Sequence, residues 1–497
     1  MADTTHYASD ENAEGKYIPK SYQFERDMDV EEPDKRHDHV IFDDKDYELF
    51  VYPDMESLMA NKPALSKMVR NFFDYQKKRI DVLRDYSRGR NTAIRSGRRR
   101  IEKDKADYRL SHNWGGYISG FATSHVMSIP VSATTESENE AKVIEELKEH
   151  NDINNLNYEL AYDASVYGNG FEFHYRDEVD KTDKIVIIPR SEMFLIYDTT
   201  VIKSIIGAVH VPILNDQLHI TVYTDNAVYT YDPTEIQDPA FENENVKKHG
   251  YGLVPVVEWQ NNRFRSGDFE DVIPLIDAYD SAQSDIANYM SDLNDSLLVI
   301  NGNLEELGLT PHDVALMKQA NTMLLQTGMD AQGKQTSASA EYIYKQYDVA
   351  GTEAYKDRLI NDIHKMANIP NIDDEQFGNQ SGIAMQYKLL GLTQLRTTKE
   401  SFFTKALRRR YKLIENIHRD LSQTNIDASK ITFTFQPNLP KDVWEEISQY
   451  INAGGQISQE TLRENASFTS QNEEEMRLEE EDKARMNPYL TDEEKGE

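Results

Sequence analysis

The chain has 497 residues, 38% of them hydrophobic, no cysteine and a formal net charge of −32 at pH 7. This length is enough for more than one hydrophobic core, the lack of cysteine excludes disulfides and thiolate metal sites, and the negative field repels nucleic acid wherever it is not locally reversed. No apolar run approaches the ~20 residues that span a bilayer, and the first residues lack the basic and apolar regions of a secretory signal, so neither export by that route nor membrane insertion is expected.

Charge is distributed unevenly along the first part of the chain. Residues 1–60 hold 17 acids against 6 bases, whereas residues 76–109 hold 13 bases against 5 acids. Two interpretations of this basic segment stay open: contact with nucleic-acid phosphates, or a solvated helical face paired with acidic segments or an acidic neighbouring subunit. The candidate contact residues are Arg95, Arg98, Arg99 and Arg100, together with Arg88 and Arg90.

Residues 41–267 are predicted to form an α+β domain dominated by antiparallel sheet. Residues 1–40 lack periodicity and are expected to be loose. IFDDKDYELFVYP predicts a strand or two, and helices are predicted from about 57–87 and over 136–166, the latter ended by Gly168. Later segments alternate or run apolar between turn residues, as strands do. These segments are FEFHYR, KIVIIP, FLIYD, IIGAVHV, LHITVYT, AVYTYD and VPVVEW.

Apolar residues then recur at three- and four-residue steps from Asp268 to about Ser296, which predicts a long amphipathic helix. At ~1.5 Å per residue it would be roughly 40 Å long. Because proline inside a helix removes a donor and clashes with the preceding turn, Pro274 predicts either a start near Ile273 or a kink there. The stripe extends to Leu297 and predicts neighbouring helices against which it is buried.

Residues 301–347 are predicted to be a small αβ insert. Thr310 and Pro311 have the chemistry of an N-cap and a first helical residue, so VALMKQA is predicted as a short helix. TMLLQT and ASAEYIYKQ are predicted as two strands joined by the loop GMDAQGKQTS.

A second helix is predicted from Gly351 to Asn368 and ends before Pro370, which disfavours helical backbone in the preceding residue. Its predicted apolar face carries Tyr355, Leu359, Ile363 and Met366. A polar loop, NIDDEQFGNQS, leads to a third long helix with Ser381 as candidate N-cap, bent or interrupted near Gly391. ITFTFQPNLP is predicted as an edge strand, followed by two short helices and an acidic tail.

Motifs for several enzyme classes are absent. There is no GxxxxGK[ST] phosphate loop and no HExxH zinc motif. His37 and His39 are expected to be solvent-exposed rather than metal ligands. The acids at 373–375 favour a solvated loop over a metal site, although a metal-dependent nuclease that uses this loop and the basic segment stays open as an alternative. No catalytic residue, metal or cofactor is predicted.

Four segments of the sequence are informative both in themselves and in their order along the chain. They are ASVYGNGFEFHYRD with IVIIPRSEMFLIYD (164–198), GLVPVVEWQNNRFRSGDFEDVIPLIDAYDSAQSDIAN (252–288), SGIAMQYKL (381–389) and GGQISQETLRENASFTSQNEEEMRLEEE (454–481). Together they resemble the portal protein family of tailed phages of Gram-positive hosts. The resemblance covers 108–481 and is most specific at 254–280. Another head protein, such as a minor capsid protein, would lack this order of helix, insert, helix and loop.

The resemblance implies an α+β portal fold with named parts. After a loose acidic segment (1–40), they are a wing (41–267), stem helices (268–300 and 348–370), a clip (301–347), a tunnel loop (371–381), a long wing helix with a returning strand (382–439), crown helices (440–470) and an acidic tail (471–497). The implied DNA-facing residues are Asp373, Asp374, Glu375, Gln376, Phe377, Gly378, Asn379 and Gln380; the alternative for this loop is a disordered linker. Docking residues of the clip are Glu305, Glu306, His312, Asp313, Lys318, Asp330 and Lys334.

It also implies a non-enzymatic homo-oligomeric ring, a dodecamer, at a single capsid vertex. Double-stranded DNA would enter through it under the terminase large subunit and leave through it at ejection. Further implied partners are head–tail connector or adaptor proteins and the major capsid and scaffold proteins, with no membrane. The implied location is the virion, and the host cytoplasm during assembly. An acidic channel suits this role because like-charge repulsion prevents salt-dependent sticking to DNA.

Overall fold

The computed structural model describes residues 42–96, 100, 106–177, 179–292, 297–301, 339–343, 348–371, 389–421 and 426–436. The chain divides into two units, 1–436 and 437–497, and every described residue lies in the first.

The described helices include most of those predicted. They are α1 (Met55–Ala60), α2 (Lys62–Asn71), α3 (Lys77–Ser87), α4 (Thr92–Arg95), α5 (Trp114–Met127), α6 (Glu138–Asn151), α7 (Ile153–Tyr167), α8 (Ile273–Asp292), α9 (Val349–Met366) and α10 (Leu390–Asp420). A π-helical turn, Phe72–Gln76, joins α2 to α3. Among the helices in these ranges, no segment combines the length and the hydropathy of a bilayer-spanning helix.

The strands alternate with turns as predicted between 169 and 260. They are β1 (Phe50–Val51), β2 (Ser132–Thr134), β3 (Asn169–Arg176), β4 (Asp183–Ile188), β5 (Met193–Tyr197), β6 (Ile205–His210), β7 (Ile213–Leu214), β8 (Gln217–Leu218), β9 (Thr221–Tyr223), β10 (Ala227–Thr230), β11 (Asn245–Lys248), β12 (Val256–Gln260), β13 (Leu297–Asn301), β14 (Ser339–Ile343) and β15 (Thr432–Thr434). Sequence patterning missed β7 and β11. Both residues of β7 and all four of β11 are exposed, so neither strand shows the alternation of buried and exposed residues on which the prediction depends.

Two sheets organise the β-rich part. The larger has the order β1-β5-β6-β9-β10-β11, with β1 parallel to β5 and its other pairs antiparallel. The smaller has the order β12-β3-β4 and is antiparallel, which confirms the predicted pairing of FEFHYR with KIVIIP. The α+β class dominated by antiparallel sheet is therefore confirmed for the described part of 41–267.

Helices cover both sheets and form continuous cores with them. Leu58 of α1 and Leu65 of α2 are fully buried in one cluster with Phe194 of the larger sheet. The smaller sheet contributes Trp259 to a second cluster with Phe403 of α10. Helix α10 therefore belongs to the same core as the smaller sheet. Apolar burial of this kind stabilises the fold by about 25 cal/mol per Å².

A glycine ends α7 as predicted. The residue after the last turn, Gly168, has φ +88, a left-handed conformation that lacks a steric penalty only for glycine. A Cβ at this position would lie 1.8 Å from the carbonyl oxygen of Arg265. The turn before α8 therefore packs directly against this helix end.

Two predictions for the first long helix are resolved by the structure, one of them as a correction. After a 3-10 turn at Glu270–Val272, α8 starts at Ile273, so Pro274 occupies the first turn, where its missing N–H has no helical partner. The predicted stripe extends to Leu297 and the predicted stem segment to residue 300, but Leu297–Asn301 form β13. The run Leu-Leu-Val-Ile favours a strand once β14 offers a partner.

The strand predicted from ASAEYIYKQ is confirmed where the structure describes it, over Ser339–Ile343. Its described part, β14, pairs antiparallel with β13, with Asn301 opposite Ser339. The segment TMLLQT lies outside the described residues, as do VALMKQA and Thr310. Further along, α10 begins at Leu390, next to Gly391. Ser381 and the residues up to 388 lie outside the described residues, so the bend or interruption near Gly391 stays a prediction. The strand predicted from ITFTFQPNLP is confirmed as β15, which pairs with β2.

Candidate functional site

Helices α8 and α9 pack side by side where the resemblance places the channel-lining stem. Ile276 of α8 is 1% exposed, and Leu359 and Ile363 of α9 are 6% and 0% exposed, all in one cluster. The apolar stripe predicts neighbouring helices, and for this part the neighbour is a helix of the same chain. Tyr355 and Met366, predicted on the same apolar face of α9, are instead 51% and 59% exposed.

An extended segment, residues 106–113, runs along α8 and is called the docked segment below. Polar side chains at every fourth residue of α8 accept hydrogen bonds from backbone N–H groups at every second residue of the docked segment. The bonds join Tyr108 to Asn288 Oδ1 (2.7 Å), Leu110 to Ser284 Oγ (2.9 Å) and His112 to Asp280 Oδ1 (3.1 Å).

The spacing follows from the two backbone geometries. Four helical residues rise about 6 Å, and two extended residues span about 6.6 Å. The two repeats therefore stay in register over three rungs, and the docked segment runs antiparallel to α8. Asn288 Nδ2 also donates to the carbonyl of Tyr108 at 3.3 Å, which closes a two-way amide pair. These side chains give the docked segment the partners that a neighbouring strand would otherwise supply.

A buried ion pair fixes the start of α8. Arg79 of α3 donates from Nε and Nη2 to Glu270, each at 2.6 Å, and both side chains are at most 3% exposed. Tyr47 donates to Glu270 at 2.7 Å, and Gly267 N–H donates to it at 2.8 Å. Desolvation of such a pair is offset only when its remaining lone pairs are bonded, as they are here. The turn that leads into α8 is thereby held against the N-terminal helices.

A second buried pair joins this turn to the long helix α10. Lys399 Nζ donates to Asp268 Oδ2 at 2.6 Å, with both side chains 2% exposed. The same lysine contacts Asn261, and Asp268 also accepts from Asn261 at 2.9 Å and from the hydroxyl of Ser165. Residues from α7, the loop after β12 and α10 therefore meet at Asp268.

A third cluster joins α10 to the smaller sheet. Glu172 of β3 accepts from Arg410 at 2.9 and 2.6 Å, from Trp259 Nε1 at 2.8 Å and from His174 Nε2 at 2.5 Å. Burial would raise the pKa of Glu172, but Arg410 and the hydrogen bond from His174 outweigh it and lower that pKa to about 2. The carboxylate therefore stays ionised at neutral pH inside the core.

The predicted tunnel loop is bounded by two described positions that lie together. Asn368, just after α9, has its Oδ1 3.1 Å from where a Cβ on Gly391 of α10 would lie. Ile369 and Leu392 are buried in the same cluster, next to α8. The chain thus leaves and returns at one place beside the helix pair. The loop residues themselves, from Asp373 to Gln380, lie outside the described residues.

The predicted clip residues also lie outside the described residues, and so does the segment predicted to form the crown helices. They are Glu305, Glu306, His312, Asp313, Lys318, Asp330 and Lys334. The strand pair β13 and β14, directly after α8 and before α9, brings the two ends of that insert together.

In the described part of the basic segment, some basic side chains contact backbone carbonyls and others pair with acidic side chains. Arg98 and Arg99 lie outside the described residues, while Arg95 is exposed and its carbonyl accepts from Arg109 at 2.9 Å. Arg100 donates to the carbonyl of Ala106 at 3.1 Å. Other bases of the segment pair with acids, as Lys77 and Arg84 do with Asp81 at 3.0 and 2.9 Å, and Arg90 does weakly with Asp85 at 3.9 Å.

Within the described ranges, no three His, Asp or Glu side chains are grouped as metal ligands would be. His37, His39 and the acids at 373–375 fall outside those ranges.

Sequence reasoning missed the docked segment and the buried role of Arg79. One signal was available: Asp280, Ser284 and Asn288 recur at four-residue steps, so small polar residues occupy one line of an otherwise amphipathic helix. Arg79 gave none, because its partner Glu270 is 191 positions away.

Comparison with known proteins gives concordant sequence matches. Residues 67–489 match the family described as "Phage portal protein, SPP1 Gp6-like". A "Portal protein" of Bacillus phage SPP1 is 24% identical over 426 residues, which cover 81% of this chain and 82% of that protein. A "Portal protein" of Clostridium phage phiCD119 is 21% identical over 302 residues, covering 57% of this chain and 65% of that protein.

Solved structures with a similar chain include two necks of gene transfer agent particles. The match to "Neck of empty GTA particle computed with C6 symmetry" has a TM-score of 0.40 at 11% identity and covers 74% of this chain and 90% of that one. The match to "Neck of native GTA particle computed with C12 symmetry" has a TM-score of 0.41 at 11% identity and covers 72% and 90%.

Proposed function

The chain belongs to the SPP1 Gp6-like phage portal protein family, and we propose that it forms a ring at a single capsid vertex through which double-stranded DNA enters and leaves the head. Family membership over residues 67–489 is the observation that carries this proposal. Proteins of this family are structural parts of phage or phage-like particles rather than enzymes, and this chain is accordingly a virion component.

The finer assignments are part of the same proposal, which family membership supports. The ring is a dodecamer built in the host cytoplasm, the terminase large subunit drives DNA through it, and connector proteins dock on it after packaging. Scaffold and major capsid proteins surround it. The clip at 301–347 receives the motor and the connectors, and the loop at 373–380 faces DNA.

Buried polar contacts support a rigid frame for such a channel. The helix pair α8 and α9 is anchored at its start by Glu270 and Asp268 and is lined by the docked segment along α8. Charge buried in fully bonded networks resists rearrangement, because opening one leaves an unpaired ion in the core. A rigid frame of this kind would keep its shape while double-stranded DNA moves through the ring.

The geometry at the base of α9 supports the DNA-facing loop. Asn368 and Gly391 lie together, so the connecting segment starts and ends beside the helix pair. That segment carries three successive acids, from Asp373 to Glu375. Acids next to a polyanion favour sliding over binding, because no counterions are released by contact.

Electron microscopy of the purified full-length protein tests the ring. We expect closed rings with a central hole, whereas monomers or open filaments at all protein concentrations would contradict the proposal. The nuclease alternative is tested on the same sample: we expect no cleavage of duplex DNA with Mg²⁺, and cleavage that disappears in Asp373→Ala would favour the enzyme.

A packaging assay tests the loop. Replacing the acids at 373–375 by their amides keeps the shape but removes the charge, and we expect slower DNA translocation in 50 mM than in 200 mM salt because residual contacts become adhesive at low salt, about threefold or more. The matched control replaces Glu353 and Asp357, exposed on α9. Equal effects of loop and control variants would contradict a DNA-facing loop.

A further inference from the structure

A small polar cavity lies between the N-terminal helices and the two sheets. Its volume is about 30 Å³, more than the ~10–15 Å³ that one water needs. Its polar lining residues are Asp46, Tyr47, Gln76, Arg79, Asn169, Arg190, Tyr197 and Arg265.

Arg190 is the unusual member of this lining. It is 8% exposed, and in the described part of the chain its hydrogen-bond partners are all neutral oxygens. Its Nε donates to Asn169 Oδ1 at 2.6 Å, Nη1 to the Met193 carbonyl at 2.9 Å and Nη2 to Gln76 Oε1 at 3.2 Å. A guanidinium has five N–H donors, so these three bonds leave donor capacity unused. Burial and the neighbouring Arg79 lower the pKa of Arg190 to about 9, as expected for a cation without a paired anion.

The other two arginines are already paired. Arg79 holds Glu270 through two bonds, and Arg265 holds Glu258 at 2.7 and 3.0 Å. Glu270 and Glu258 are thereby engaged by these two arginines, and the described hydrogen bonds of Arg190 go to neither carboxylate. Among the lining residues, the remaining charged group is Asp46, whose carboxylate accepts from the N–H of Asp43 at 2.7 Å.

The local backbone is also specialised. Gln76 ends the π-helical turn Phe72–Gln76, and its side chain donates to the Glu48 carbonyl at 2.7 Å while accepting from Arg190. A π-turn inserts a residue into a helix at some stability cost and frequently marks a functional site. Here it brings Gln76 into the cavity next to Arg79, three residues later.

We propose that this cavity binds one small monovalent anion, of the size and charge of chloride, against the guanidinium of Arg190, and that binding is linked to protonation of Asp46. The charge balance motivates the linkage. Arg79, Arg190 and Arg265 are balanced by Glu258, Glu270 and an ionised Asp46, so the site is neutral without an anion and gains one positive charge when Asp46 takes up a proton.

Asp46 is placed for this role. It is 2% exposed, and burial raises its pKa to about 6, so it takes up a proton just below neutral pH. The titratable and charged groups around it are Asp43 on its own 3-10 helix, Tyr47, Arg79, Arg190, Tyr197, Glu258, Arg265 and Glu270. An anion in the cavity would repel the ionised carboxylate, and by reciprocity a neutral Asp46 would tighten anion binding.

Thermal unfolding and chloride NMR line broadening of the full-length protein test the proposal. Sodium chloride is compared with sodium gluconate, whose anion is too large for the cavity, at equal ionic strength. We expect chloride to raise Tm by a few degrees and to bind about tenfold more tightly near pH 5 than near pH 8, since protonation of Asp46 is coupled to binding.

Two matched variants separate the site from general salt effects. Asp46→Asn mimics the protonated acid and should make chloride binding tight at both pH values, whereas Asp44→Asn, exposed on the same 3-10 helix, should behave as the unmodified protein. Arg190→Gln should abolish the chloride response. Equal responses to chloride and gluconate, or equal pH dependence in Asp46→Asn and Asp44→Asn, would overturn the proposal even if Arg190→Gln does not fold.

Discussion

Asn288 and Tyr108 are bonded in both directions: the side-chain oxygen of Asn288 accepts from the backbone N–H of Tyr108 at 2.7 Å, and its amide nitrogen donates to the carbonyl of Tyr108 at 3.3 Å. This pair is the first of the three rungs along the docked segment. Its loss should therefore release that end of the segment from α8 while the fold persists.

Replacing Asn288 by alanine should therefore expose the docked segment to protease. The loss of two bonds costs about 1–2 kcal/mol, and cleavage that requires local opening should accelerate about tenfold. Trypsin cleavage at Arg109, followed by mass spectrometry, measures the effect. Met290→Ala, on an exposed side chain of the same helix, is the control, and equal cleavage of both variants would show that the rung does not hold the segment.

Two glycines should respond in opposite directions to alanine. Gly168 has φ +88, and the carbonyl oxygen of Arg265 lies 1.8 Å from where a Cβ would stand, so Gly168→Ala should destabilise the protein by about 3 kcal/mol or more. Gly120, inside α5, has nothing within 4 Å of the equivalent point, so Gly120→Ala should stabilise it by about 0.5–1 kcal/mol. Denaturant unfolding measures both, and equal shifts would contradict the strained turn.

Neutralising Glu172 should be one of the most damaging conservative changes. Glu172→Gln leaves Arg410 as an unpaired cation in the core, and breaking a buried pair costs about 3–5 kcal/mol. Lys412→Gln breaks the exposed pair with Glu415 on the same helix and should cost at most about 1 kcal/mol. Urea midpoints of the two variants compare the effects. A loss below that of Lys412→Gln would mean that the buried charges do not stabilise the fold.

Asp277 should make stability depend on pH. Burial raises its pKa from 3.8 to about 7, so the folded state holds a proton that the unfolded state releases. Its contribution is present below about pH 4 and is lost as pH rises through about 7, on the order of 2–4 kcal/mol. Asp277→Asn should flatten the stability profile between these limits. Tyr86 donates to Asp277 at 2.6 Å and favours its ionised form, so Tyr86→Phe should extend the loss to higher pH. Unfolding free energies across this range measure both.

Periodicity in the sequence predicted the elements whose pattern of apolar residues can be seen within the element itself. The helices from α6 to α9 and the strands β3 to β6, β9, β10 and β12 have apolar residues at the spacing their backbone requires. The error at Leu297 is instructive, because Leu-Leu-Val-Ile suits either a helix stripe or a strand. The strand forms because β14, which is far away in sequence, pairs with it.

The site was predictable in outline but not in its contacts. The helix, insert, helix and loop order was in the sequence, and its proposed channel role comes from family membership. The pairs that fix the frame were not predictable, since Arg79 meets Glu270 and Lys399 meets Asp268 only after folding. Because the chain has 87 acidic residues, each base has many potential partners, and spacing does not select among them.

The pairing of β13 with β14 has an evolutionary consequence. Asn301 and Ser339 face each other across one ladder, and strands in such a pair lie about 4.8 Å apart. Whatever sequence connects them can therefore be replaced, lengthened or shortened while both ends stay where they are. Selection for binding to an outside partner can therefore change the sequence of this insert without changing the helices on either side of it. The insert is expected to diverge fastest where the partner changes most.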